Sequence, residues 1–103
     1  MKGIVTTAVL VLLAATTAFA VLGGGDVLFT MPGAANVLFS HDGHAGKARI
    51  GCQECHYAIY TNRANHRTVS MAEMKNGKSC GACHNGIRAF SVAPAQNCPR
   101  CHR

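Results

Sequence analysis

Cys52-Gln53-Glu54-Cys55-His56, Cys80-Gly81-Ala82-Cys83-His84 and Cys98-Pro99-Arg100-Cys101-His102 repeat one spacing. Two cysteines stand three positions apart and a histidine follows at once. The three copies use all six cysteines of the chain. Cys-x-x-Cys-His is the spacing of covalent c-type haem attachment. Two thiols add to the two vinyl groups on one porphyrin edge, and the next residue swings under the ring to ligate iron. The expected cofactors are three haem c groups. Cys52, Cys55, Cys80, Cys83, Cys98 and Cys101 would attach them, with His56, His84 and His102 as proximal iron ligands.

Other cysteine chemistries fit less well. Paired CxxC units can hold zinc, but three pairs leave one without a partner. A thioredoxin-like motif needs a βαβ context that is missing. Disulfides give no reason for a histidine after every second cysteine.

Of the six histidines, three remain: His41, His44 and His66. Three haems need three distal ligands, so the count fits bis-histidine ligation with nothing spare. His41 and His44 cannot both serve one iron, which has a single open axial position. On an extended segment they would stand roughly 10 Å apart; on a helical turn they would be neighbours. Either way the pair is expected to staple two haems together. Near His66, Met71 and Met74 offer thioether alternatives, and a Met ligand would raise that haem's potential.

The elements that must position these residues are short. Asp26–Thr30 and Asn36–Ser40 are rich in strand formers, and Met31-Pro32-Gly33 supplies turn chemistry between them. A two-stranded hairpin is expected, with Phe29 and Phe39 as its packing residues. A lone hairpin is marginal in water, so it must lie on something. The stretch from His41 to Cys52 reads as loop, and Tyr57–Tyr60 as a short helix leaving the first motif. Asn62–Asn65 and residues 85–97 read as loop. Ser70 and Glu73 form a capping box, and Gly77 is placed to end that helix, giving a helix over Met71–Asn76. Gly23-Gly24-Gly25 reads as a flexible break.

Ahead of that break, Met1-Lys2 precedes an apolar run that ends in Ala18-Phe19-Ala20, the pattern of a secretory signal. The expected organisation is a signal over 1–20 and one domain over 21–103. The rival is an uncleaved anchor, since Ile4–Leu22 approaches the roughly 20 apolar residues that span a bilayer. A chain this small buries little apolar surface, has no Trp and only six aromatics, and needs a staple or cofactor. The fold class expected is small and mostly irregular or α, with a short N-terminal hairpin and the haems as core. The formal charge of +6 suits DNA, anionic lipid or an acidic protein, and is also met in a merely solvated basic surface.

With these residues placed, the sequence resembles the triheme cytochrome c7 branch of the cytochrome c3 superfamily. FSHDGH (39–44), the three CxxCH motifs, GKSCGACHNG (77–86) and AFS (89–91) carry the resemblance, which covers Val27 to Arg103. It implies a small N-terminal sheet and a few helices wrapped on three haems, with Phe39 between the first two. It pairs distal His41 with proximal His56, distal His44 with His84, and distal His66 with His102. In compact members the third distal His lies just before the second CxxCH, whereas His66 stands well upstream of Cys80. Compact members are also richer in lysine.

Bis-histidine ligation leaves no open position for substrate, so no enzyme activity is expected. The expected function is low-potential electron transfer in the periplasm, in anaerobic metal or sulfur respiration, with redox proteins as partners and no nucleic acid. A membrane enters only through an uncleaved N-terminal segment. The alternatives are a module of a membrane-tethered or extracellular wire, homo-oligomer or filament, and a nonspecific metal-ion reductase.

Overall fold

A computed structural model of the chain describes residues 20–60 and 67–103. The predicted signal or anchor, apart from Ala20 onward, lies outside the described residues, as do Asn62–Asn65 and His66. No described helix is long and apolar enough to cross a membrane.

Strands β1 (Val27–Phe29) and β2 (Val37–Phe39) pair antiparallel, with Val27 opposite Phe39, Leu28 opposite Leu38 and Phe29 opposite Val37. Strand alternation puts Val27, Phe29, Val37 and Phe39 on the half-buried face and turns Leu28 and Leu38 outward. In the connection, the amide of Met31 donates to Asn36 Oδ1 at 3.1 Å. What the hairpin lies on is the C-terminus. Val37 bridges His102, and the Arg103 amide donates to the Asn36 carbonyl at 2.9 Å.

Among the described residues three short α-helices follow: α1 (Cys52–Cys55), α2 (Met71–Lys75) and α3 (Cys98–Cys101). Helix α2 forms as its caps dictate. Ser70 Oγ accepts from the Glu73 amide, and Glu73 returns a carboxylate to the Ser70 amide at 3.0 Å. At the other end Gly77, with φ 89°, donates to Met74 O, and the Lys78 amide donates to Glu73 O. That double closure is a Schellman motif, which needs a left-handed residue after the cap.

Three local expectations are corrected. The His41–Cys52 stretch is not loop throughout: Asp42–Lys47 is a π-helical turn, closed by the Ala48 amide on Gly43 O. No helix continues through Tyr57–Tyr60. Tyr57 takes φ 76°, and its amide donates to Tyr60 O in a turn. Gly23-Gly24-Gly25 is not a free break. Leu22–Gly24 is a 3-10 turn, and the Gly25 carbonyl binds the ring of His41.

Among the described residues no apolar side chain is fully buried. The interior is instead a cavity of about 440 Å³, lined by Phe39, His44, Cys80, Cys83, His84 and Phe90, among others. The core of this fold is therefore not built from its own side chains.

Candidate haem-binding site

Each CxxCH motif closes on itself in the same way. The histidine amide donates to the carbonyl of the first cysteine: His56 to Cys52 at 2.9 Å, His84 to Cys80 at 2.8 Å and His102 to Cys98 at 2.9 Å. One helical turn of this kind brings residues i, i+3 and i+4 toward one face, the placement that two attachment points and an iron ligand of one haem would need. In all three motifs the first cysteine is exposed and the second half-buried, and all six are unpaired. Burial pushes the thiols of Cys55 and Cys101 up.

Two of the three predicted distal ligands belong to the π-helical turn, His41 as its N-cap and His44 within it. Phe39 packs on both, edge-on to His41 at 5.0 Å and stacked on His44 at 4.5 Å. The question left open by the spacing is thus decided: the two imidazoles sit on one turn, both in contact with one phenylalanine. His44 faces His84 across the cavity with ring centroids 6.2 Å apart. Two metal–imidazole bonds of about 2 Å each, with each nitrogen about 1 Å from its ring centroid, span about 6 Å on a line. The gap therefore fits one iron, and Cys80 and Cys83 line the same cavity. Its volume lies within the range of about 300–1,000 Å³ usual for cofactor sites.

Four imidazoles are oriented by backbone carbonyls. Nδ1 of His41 meets Gly25 O at 2.5 Å, that of His44 meets Ser40 O at 2.8 Å, that of His84 meets Phe90 O at 3.0 Å, and that of His102 meets Ala35 O at 2.7 Å. A carbonyl can only accept, so Nδ1 carries the proton and Nε2 is left as the metal-binding nitrogen. His56 has no such bond among the described residues, and no ring contact there joins it to His41. His66 lies outside them.

Cross-links hold the motifs against one another. Glu54 in the first motif pairs with Arg88 beyond the second, and this hydrogen-bonded cation holds the Glu54 carboxyl below the usual carboxylate range. Tyr60 reaches Ser79 Oγ at 2.5 Å and Cys80 Sγ at 3.5 Å, and burial pushes its hydroxyl up. Arg100 of the third motif lies 4.0 Å over the Phe90 ring, which packs on His84 at 4.4 Å. Sequence reasoning missed the roles of Gly25, Ala35, Ser40 and Phe90. All four act through carbonyls common to every residue type, and Phe90 also packs its ring on His84. Ser40, within FSHDGH, and Phe90, within the AFS stretch, were the only legible signals.

The family model for cytochrome c7 and related cytochrome c matches residues 37–103. The chain belongs to this cytochrome c7 family. As a member it is a multihaem cytochrome of the c type. Among solved structures, a c7-type three-heme cytochrome domain is 43% identical, with TM-score 0.67, over 77% of this chain and 93% of that one. The N-terminal hexaheme fragment of GSU1996 is 46% identical, with TM-score 0.68, over 76% of this chain and 48% of that one. The dodecaheme cytochrome c GSU1996 is 44% identical, with TM-score 0.68, over 75% of this chain and 24% of that one. The chain thus spans about half of the hexaheme fragment. The comparison with curated proteins returns no match.

Proposed function

We propose that this cytochrome c7 relative carries three haems and relays electrons at low potential in the periplasm, exported by the segment Met1–Ala20. Cys52, Cys55, Cys80, Cys83, Cys98 and Cys101 attach the haems. His56, His84 and His102 are the proximal ligands, and His41, His44 and His66 the distal ones. The observation that carries this reading is the 6.2 Å separation of the His44 and His84 rings in a cavity that Cys80 and Cys83 also line.

When bound, the haems supply a one-electron iron couple. His44 and His84 would hold such an iron between them, and the same arrangement at the other two haems would leave no place for a substrate, which supports electron transfer over catalysis. Imidazoles that donate Nδ1–H to carbonyls are more basic ligands, and His/His ligation lacks the potential-raising methionine. Both features favour low potential and a role in anaerobic metal or sulfur respiration, with redox proteins as donor and acceptor.

A second reading is favoured by the relatives. Their hexaheme and dodecaheme chains are about two and four times as long as the stretch matched here, which supports a module in a longer wire.

The test is intact mass and electron paramagnetic resonance on protein matured in a host that attaches c-type haem. Three haems on Val21–Arg103, all low-spin, and one turned high-spin by His44→Ala are expected. Fewer haems, or no change in His44→Ala, would sink the assignment. A methionine–iron charge-transfer band would replace His66 by Met71 or Met74.

A further inference from the structure

Gly23, Gly24 and Gly25 take φ of 59°, 79° and 98°, a left-handed run open to glycine and strained for other residues. Conformational freedom alone does not explain all three. A Cβ on Gly23 would stand 2.4 Å from Cδ2, 2.6 Å from Cγ and 2.7 Å from Nε2 of His41. The Gly23 backbone therefore lies against the imidazole, in space no side chain can share. Two residues on, the Gly25 carbonyl accepts from His41 Nδ1 at 2.5 Å. Leu22 continues the contact onto the turn that carries His41 and His44: a Cβ on Gly46 would meet Asp42 Oδ1 at 2.6 Å and Leu22 Cδ1 at 3.1 Å. Gly24 differs from its neighbours. A Cβ there meets nothing within 4 Å.

We infer that the glycine segment directly after the predicted cleavage site is a positioning device for His41. Gly23 sets the tilt of the ring by contact, and Gly25 fixes its tautomer by hydrogen bond, so that Nε2 is presented to iron. This rests on the reading of His41 as a distal ligand. It assigns the segment N-terminal to the hairpin, outside the stretch matched by the family, a part in one haem site. Bulk at Gly23 turns the ring, while bulk at Gly24, also at positive φ, strains the backbone and leaves the ring alone.

The experiment compares the holoproteins of Gly23→Ala, Gly24→Ala and His41→Ala with wild type. Haem content is read by intact mass, spin state by electron paramagnetic resonance, and potentials by redox titration. The expected result is loss or marked shift of one low-spin signal in Gly23→Ala, at the same haem that His41→Ala turns high-spin, with Gly24→Ala matching wild type. A wild-type spectrum and potentials in Gly23→Ala, with His41→Ala still affected, would overturn the inference while sparing the ligand. An equal change in Gly24→Ala would overturn it in favour of strain alone. Three low-spin haems in His41→Ala would remove the ligand reading and the inference with it. If Gly23→Ala does not mature, proton NMR of the wild-type holoprotein decides. Cross-relaxation between the Gly23 α-protons and the His41 ring supports the contact, and its absence overturns it.

Discussion

At the scale of single residues, polar side chains act by holding main chain in place and main-chain carbonyls act by holding imidazoles. Glu73 shows the first case. It accepts from the Ser70 amide, and Arg67 and Lys78 approach the same carboxylate at 3.0 and 3.5 Å. The Ser70 backbone bond, then Arg67, hold its pKa down to about 2 from 4.5. A carboxyl whose folded value is depressed stabilises the fold above its unfolded value and loses that contribution as pH falls through the folded one. The difference in melting temperature between wild type and Glu73→Gln should therefore be full above pH 4.5 and vanish as pH approaches 2. A difference that stays constant across that window would mean that the Glu73 charge does not contribute. High salt should shrink the part due to Arg67 and Lys78, because exposed pairs are screened.

At the scale of elements, the contact that decides most is between α2 and the 3-10 turn Ser79–Ala82. Gly81, inside the second motif, is buried against α2. A Cβ there would stand 1.8 Å from the carbonyl oxygen of Met74 and 2.7 Å from its carbon. That neighbour is helical backbone and cannot swing aside. Gly81→Ala should push α2 off the motif and cost about 1–3 kcal/mol, the usual range for overpacking. A lowered melting temperature with haem content preserved is the expected outcome, and an unchanged melting temperature would show that α2 is free to shift. The same substitution at Gly77 acts differently. Its Cβ meets nothing within 4 Å, so only the strain of φ 89° is felt, and the loss should be smaller. The capping box and closing glycine of α2 were readable in sequence because both are local. The π-helical turn was not, because glycine and lysine there suggest loop, and what holds the turn is packing on Leu22 and Phe39.

At the scale of the whole molecule, a fold with no fully buried apolar side chain among its described residues cannot meet the entropy cost of ordering its chain. Burial around the bound groups must supply the difference. A group that binds the native state only is linked to its stability. Chain made without haem attachment, as by Cys→Ala at all six cysteines, should lose the cooperative thermal transition and most tertiary signal in circular dichroism. A cooperative transition in that variant would show that the protein matrix is sufficient alone.

The sequence by itself determined the attachment chemistry, because thiol spacing and the adjacent histidine are covalent facts of one helical turn. It also determined the hairpin and α2, whose propensities and caps are local. The resemblance pairs His44 with His84 and puts Phe39 between two haems; the tertiary structure brought those two rings together and showed that His41 and His44 share a turn beside Phe39. It alone decided that Gly25, Ser40, Phe90 and Ala35 lend the carbonyls that orient four rings. A carbonyl has no identity in sequence. Its role depends on where the chain passes, and here the chain passes around a space that its own side chains do not fill.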